Sequence, residues 1–359
     1  VATRPAPPAN PFRPTFGTTP PLLVGRAELI EEFVDGLEDG PGAPGRATLY
    51  GGARGTGKTV LLNAVEAQAA RRGWLVVSET ARRGLVSELA TVHLPQLLAA
   101  HARRKRRTRV TGVTAPGGAG ATFATSDRYV PGESLRSRVE EVLAVTAGRS
   151  PGLLITVDEL DGAFLAELAE LGVVLQHAFR EERSLAFVGA GVSSGLDALL
   201  RSPGLTFLQR ASRHTLGAVP AIDVRAGLEV PITESGRTIR EGDLDLAVTA
   251  TSGYPFLIQL VGHQIWRRHP RRKAISREDV LDGVAAAHRR LGQLVLEPTL
   301  KDLSATDRRF LDAMAVDDGP SRIREVAERM GVDANFASQY RLRLIAAQVI
   351  YATAHGVVD

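Results

Sequence analysis

The stretch Leu49–Thr59, LYGGARGTGKT, constrains this chain more than any other, because Gly52, Gly57, Lys58 and Thr59 satisfy G-x-x-x-x-G-K-[ST] in full. Such a loop needs a strand that ends and a helix that begins. Ala47–Tyr50 reads as a short buried strand, and Val60–Val65 continues as an apolar-faced helix. Gly52, Gly55 and Gly57 allow backbone N–H groups to curl toward an anion, and the positive end of the new helix adds to them. The candidate nucleotide-binding residues of the loop are therefore Gly52, Gly55, Thr56, Gly57, Lys58, Thr59 and Val60. Lys58 is placed to reach the β- and γ-phosphates, and the Thr59 hydroxyl to take a position on Mg²⁺. Lys58, Lys105, Lys273 and Lys301 are the only lysines among 44 basic residues, so Lys58 departs from a strong arginine default.

A length of 359 residues suggests two or three domains. With 44% hydrophobic residues and no apolar run near the ~18 needed to span a bilayer, a globular, cytoplasmic protein without a membrane partner is expected. The absence of cysteine excludes disulfides, thiolate zinc sites and cysteine nucleophiles. A formal charge of +4 and a pI near 9.7 lean only weakly toward an anionic partner. Residues 1–20 begin VATRPAPPANPFRP, Pro-rich and without the apolar core of an export signal, and read as a flexible tail. No H-E-x-x-H or serine elbow points to a metal hydrolase or a protease.

Ala27–Leu37 has its apolar residues at helical spacing, and Trp74–Ser78 reads as a second buried strand, completing a βαβ unit. A helix from Val86 to about His101 precedes an exposed insertion, 103–130, read as hairpin or disordered. Its run Arg103–Arg107 suits either nucleic-acid phosphate or a solvated helix end. After a helix over Ser134–Thr146, the apolar strand Leu153–Glu159 ends in two carboxylates. Asp158 can hold Mg²⁺ and Glu159 can polarise a water as general base. A helix over Gly162–Glu182 and a strand over Leu185–Val188 follow, and Ser193 or Ser194 is a candidate polar sensor of phosphate. Arg210 and Arg213 stand three apart, read either as an arginine finger, Arg210 first, or as a solvated helix face.

From Pro220 the chain reads as all-helical: Ile222–Leu228, a loop, Leu244–Thr251, a helix from Gly253-Tyr254-Pro255 to Trp266, and Arg277–Arg290. Residues 300–359 read as helices Ser304–Met314, Arg322–Met330 and Asn335–Ala347, then a hairpin over Val349–Val358, an order of helix, helix, helix, wing. Gln339, Arg341 and Arg343 on the third helix suit base edges and phosphates of DNA, or equally a solvated face. The chain ends within the wing strand, so further residues are expected after Asp359.

With these residues placed, the chain resembles the AAA+ superfamily, near the bacterial origin-recognition and STAND ATPases. The resemblance rests on Leu23-Val24-Gly25-Arg26, the phosphate loop, Asp158-Glu159, Phe207-Leu208-Gln209-Arg210, Gly253-Tyr254-Pro255 and the C-terminal pattern. It implies an α/β fold: a P-loop parallel-sheet AAA+ ATPase core over 21–219, a helical lid over 220–295 and a winged helix over 296–359. It also implies ATP and Mg²⁺ as ligands, Val24 and Gly25 near the adenine, and Pro255 reporting nucleotide state by packing. The sensor arginine usual at the lid helix is replaced by Gly-Tyr-Pro-Phe. Two functions follow from the resemblance. One is an ATPase, with Glu159 and Arg210 catalytic, whose nucleotide state controls a winged helix on double-stranded DNA. The other is a slow switch whose winged helix docks a protein partner in a regulatory or defence assembly, with a homo-oligomer compatible with either.

Overall fold

The computed structural model describes residues 8–15, 17–100, 134–160, 162–202, 204–297, 300, 303–346, 349–350, 352–354 and 356–358. The chain divides into two compact units. One comprises Arg26–Gly52 and Lys58–Leu216; the other takes the chain up to Gly25, the loop segment Ala53–Gly57, and Gly217 onward. The insertion expected at 103–130, with the run Arg103–Arg107, lies outside the described residues.

The first unit is built on a five-stranded sheet of β1 (Ala47–Gly52), β2 (Leu75–Thr80), β3 (Leu153–Leu160), β4 (Leu185–Gly191) and β5 (Ser212–Leu216). The order is β2-β3-β4-β1-β5 and every pairing is parallel. The three inner strands are buried almost throughout, as a parallel sheet covered on both faces requires. On one face Tyr50, Leu154 and Val188 pack with Phe33 of the helix Ala27–Glu38 and with Leu61, Leu62 and Val65 of the helix Lys58–Arg71. On the other, Leu49, Ile155, Val157 and Phe187 meet Leu171 and Leu175 of the helix Leu165–Arg180.

β5 corrects the expectation of a helix carrying both Arg210 and Arg213. A 3-10 turn ends at Arg210, and Arg213 belongs to the strand. Among the described residues the strand Ser-Arg-His-Thr-Leu pairs with β1 alone and alternates in burial, so a single apolar residue, Leu216, suffices at the sheet edge. That leaves little hydrophobic pattern to read. The helix expected from Val86 exists over 85–100, but Leu89–His93 forms a π turn within it.

In the second unit the helices Ala221–Glu234, Glu241–Ala250, Pro255–Arg268 and Arg277–Leu291 enclose a core of Val224, Leu228, Leu244, Val261, Ile265 and Val280. This region is not all-helical: β6 (Thr238–Ile239) pairs in parallel with β7 (Ala274–Ile275). Its first helix also runs on through Pro231 to Glu234, where a loop was expected. Part of the expected flexible tail is ordered as well. Phe12 is 3% exposed in this core, while Asn10 donates to His263 O at 3.1 Å and the Arg13 amide to Gln259 Oε1 at 3.1 Å. Gly262 makes room for the ring, because a Cβ there would lie 2.4 Å from it.

The C-terminal segment has its own core of Phe310, Val326, Ala337, Leu344 and Val358. Helices Ala305–Met314, Ile323–Met330 and Ala334–Ala346 are joined by an antiparallel sheet of β8 (Ser321–Arg322), β9 (Ala352–Ala354) and β10 (Val357–Val358), in the order β8-β10-β9. Ser304 caps the first helix reciprocally with Asp307, as its position at the head of the pattern predicts. Among the described residues no helix is long and apolar enough to cross a membrane.

Candidate nucleotide site

At the carboxyl end of β1 the chain leaves the sheet at Gly52 and re-enters the first unit at Lys58. The Lys58 ammonium donates to Gly52 O at 2.8 Å, spanning the two ends of the loop. One residue on, the Thr59 hydroxyl donates to Asp158 Oδ2 at 2.5 Å, although the two stand 99 positions apart. The other carboxylate oxygen, Oδ1, accepts the Glu159 amide at 2.8 Å. Glu159 is exposed and has φ +56, a left-handed conformation unusual for a glutamate, where the β3–β4 register shifts between Val157 and Leu160. This irregularity lets the strand present two adjacent carboxylates. Thr59 and Asp158 together offer two hard oxygens side by side, the donor set that Mg²⁺ takes alongside phosphate and water.

A second rung lies below the first. Glu66, two turns after Thr59 on the same helix face, accepts the Ser78 hydroxyl at 2.7 Å and a short hydrogen bond from Thr156, two residues before Asp158 on the same strand face. Reading the sequence alone missed Glu66. Its signal was a fully buried threonine, Thr156, in an otherwise apolar strand, since a buried hydroxyl needs a partner.

Ser193, one of the two candidate sensors, opens the helix Ser193–Leu200 and stands against β1: a Cβ on Gly51 would lie 3.2 Å from its hydroxyl. Arg210 is exposed and lies before the amino end of β5, where Ser212 pairs with Thr48 and Leu216 with Gly52. Four strand steps of about 3.3 Å separate those pairs, so Arg210 begins roughly 13 Å or more along the sheet from Gly52. The structure therefore does not bring Arg210 together with Lys58, Thr59 and Asp158.

In the second unit the crest of the loop, Ala53–Gly57, has its own partners. Thr56 donates its hydroxyl to Ala53 O at 2.8 Å, closing the turn. Tyr254 donates its hydroxyl to Arg54 O at 2.9 Å, and a Cβ on Gly55, which has φ +77, would fall 1.8 Å from the Tyr254 oxygen. Only glycine fits there on either ground. Pro255 is the first residue of its helix, and a Cβ on Gly57 would lie 3.9 Å from it. Val24 and Gly25 rest against the segment Val219–Gly227. A Cβ on Gly25, at φ +66, would meet Val219 at 2.9 Å, and one on Gly227 would meet Val24 at 3.0 Å. Burial pushes the Tyr254 phenol above its ordinary pKa, so the hydroxyl remains a donor. Tyr254 was not singled out from sequence, because the middle position of Gly-Tyr-Pro carries no pattern of its own.

The three residues proposed for DNA differ in setting. Gln339 is exposed; Arg341 is half-buried, and its Nε is buried with no hydrogen-bond partner among the described residues. Arg343 pairs with the fully buried Asp307 at 3.1 Å. On the same helix the Phe336 and Tyr340 rings pack 4.9 Å apart, with Phe336 exposed.

Comparison with known proteins gives this geometry a context. Residues 22–188 match the family described as AAA ATPase domain, and residues 293–359 match a domain of unknown function (DUF8462). No curated protein matches the chain. Among solved structures, the Walker-type ATPase PABY2304 of Pyrococcus abyssi is 14% identical with a TM-score of 0.62, over 94% of this chain and 93% of that one. The Aeropyrum pernix ORC2 protein, solved as ADPNP–ADP complexes, is 15% identical with a TM-score of 0.58, over 96% and 91%. At these identities the likeness is one of fold.

Proposed function

We propose that the chain is an AAA+ P-loop ATPase, a reading supported by the match of residues 22–188 to the AAA ATPase domain family and by its likeness in fold to the ORC2 and PABY2304 structures, that it binds ATP with Mg²⁺ and hydrolyses it, and that nucleotide state controls the C-terminal segment. The observation that carries this reading is the Thr59–Asp158 bond, which joins the last residue of the phosphate loop to the carboxylate at the end of β3. Thr59 and Asp158 would hold Mg²⁺, which when bound neutralises phosphate charge. Lys58 binds the β- and γ-phosphates, with Gly52, Gly55, Thr56, Gly57 and Val60 forming the backbone cradle. Glu159, exposed beside Asp158, orients and deprotonates the attacking water. Val24 and Gly25 contact the base, and Pro255 responds to the nucleotide by packing. The ADPNP and ADP bound to the Aeropyrum ORC2 protein support this ligand class.

The boundaries proposed from sequence, 21–219 for the core, 220–295 for the lid and 296–359 for the output domain, go with this reading. For the output domain, the order helix, strand, helix, helix, hairpin supports a winged helix, with Gln339, Arg341 and Arg343 toward double-stranded DNA. A protein-docking role is favoured by one observation: Arg343 is engaged with Asp307 while the aromatic Phe336 faces solvent.

The test pairs two variants. Lys58→Ala should abolish measurable ATP binding in calorimetry, because a cradle without its cation must still hold a polyanion. Glu159→Gln should bind ATP normally and turn over about 10²–10⁴ times more slowly. Undiminished binding by the first, or wild-type hydrolysis by the second, would refute the corresponding role.

A further inference from the structure

We infer that Tyr254 is a positioning residue for nucleotide binding: its hydroxyl holds the Arg54 carbonyl and thereby sets the direction of the Gly55 N–H in the phosphate loop. The inference rests on the nucleotide-binding reading above and assigns a role to a side chain outside the loop motif.

The peptide between Arg54 and Gly55 is a planar, trans unit, so its C=O and N–H point to opposite sides. Fixing the carbonyl fixes the amide. Within the loop the turn closed by Thr56 on Ala53 O spans that peptide, but its central unit ends in Gly55, at φ +77 and of the residue type most free to rotate. The Tyr254 hydroxyl supplies the restraint from outside, at 2.9 Å from Arg54 O. The contact is close over the whole tip of the ring: the Cβ position of Gly55 lies 1.8 Å from the hydroxyl oxygen, 2.5 Å from Cζ and 3.0 Å from Cε2.

Tyr254 is itself held in place by its neighbours. Its amide donates to Thr251 O at 2.9 Å, the Gly253 amide to the buried Thr251 hydroxyl at 3.2 Å, and the Val219 amide to Gly253 O at 2.8 Å. Pro255 follows at the first helical position, where its ring presets the backbone angle. Phe256 packs edge-on to the Tyr254 ring at 6.5 Å. A donor held by this many neighbours can orient the peptide rather than follow it. Packing alone would be served by phenylalanine; the hydroxyl is what the carbonyl uses. Pre-orienting one amide of the cradle lowers the ordering cost when an anion arrives, so the role belongs to binding and not to the chemical step.

The experiment compares wild type with Tyr254→Phe, which keeps the ring and removes only the donor. Fluorescent ATP and ADP analogues are titrated in the presence of Mg²⁺, and steady-state turnover and melting temperature are recorded for both proteins. Loss of one neutral hydrogen bond should weaken both nucleotides about three- to tenfold and raise KM in step. The kcat at saturating ATP should stay within about twofold and the melting temperature of the nucleotide-free protein should not move. Equal affinity in wild type and variant overturns the inference, whether or not the melting temperature falls, because the contact then only packs. Tighter binding by the variant also overturns it, since the hydroxyl would then restrain the loop against its ligand. Wild type that binds no nucleotide is a different outcome, which removes the functional reading itself.

Discussion

At the end of β3, Thr59 and Asp158 come from positions 99 apart and meet at 2.5 Å, with Glu159 exposed beside them. On the helix Ala334–Ala346, by contrast, Arg343 turns back to Asp307, the buried carboxylate that also accepts the Ser304 amide at 2.9 Å and hydroxyl at 2.6 Å in a helix cap. The first carboxylate accepts one bond on each oxygen and keeps spare lone pairs toward solvent; the second has no solvent exposure at all. The same residue types thus do different work. A polar pair assembled from a helix and a strand distant in sequence, with acceptor capacity left over, is suited to a ligand. An arginine that compensates a buried carboxylate is first of all part of the domain's own stability.

The comparison would break most visibly through Arg210, because an arginine finger contributes roughly 10³–10⁵ in rate. If the sheet region completes its chemistry with a neighbouring copy, Arg210→Ala should bind ATP as wild type does and turn over slower by about that factor. Wild-type activity should rise faster than linearly with protein concentration. Strictly linear activity, with no defect in the variant, would mean that the β3 end is sufficient by itself.

The second helix-bound arginine sharpens the other side. Arg343→Ala leaves Asp307 buried without its cation and should lower the stability of the C-terminal segment by about 1–3 kcal/mol, read as an earlier thermal or urea transition. Arg341→Ala separates binding from folding. If that helix meets DNA phosphate, this variant should flatten the dependence of log affinity on log salt by about 0.9 in anisotropy with duplex DNA. No DNA binding by wild type at low salt, in either nucleotide state, favours the docking alternative.

The smallest effect expected is an acid limb. Arg329 holds the Asp317 carboxyl down at about 2, with help from the Ser321 hydroxyl; the guanidinium contacts both carboxylate oxygens, at 2.7 and 2.6 Å. An unfolded aspartate titrates near about 3.9. Its depressed folded value means the stabilisation is complete above that pH and is lost as pH falls toward about 2. Melting temperatures of wild type and Asp317→Asn should therefore differ at neutral pH and converge between about pH 4 and pH 2. A constant gap across that range would show that the ion pair contributes nothing through titration.

Much of the architecture was legible because it is locally encoded. The loop glycines and Lys58, the apolar run ending in Asp158 and Glu159, and the cap at Ser304 each state an element's type within a few residues. β5 was not legible, since an edge strand needs to bury only one face and Ser212–Leu216 carries one apolar side chain to do it. Nor was the docking of Phe12, whose site exists only because Gly262, some 250 positions away, leaves a gap of the right size. A Pro-rich segment with one aromatic residue looks like a tail until the surface that receives it is known.

By itself, then, the sequence determined the parallel-sheet class, the phosphate loop with its cation and hydroxyl, the paired carboxylates, and a three-helix C-terminal segment. These depend on periodicity, glycine placement and charge over short spans. Tertiary structure alone decided that Thr59 reaches Asp158, that Glu66 satisfies Thr156 and Ser78, that Tyr254 grips Arg54, and that Arg343 neutralises Asp307. Each of these is a hydrogen bond or ion pair with a reach of about 3 Å, between residues from 12 to 200 positions apart. Whether such a bond forms depends on where whole elements come to rest, and no local pattern carries that distance.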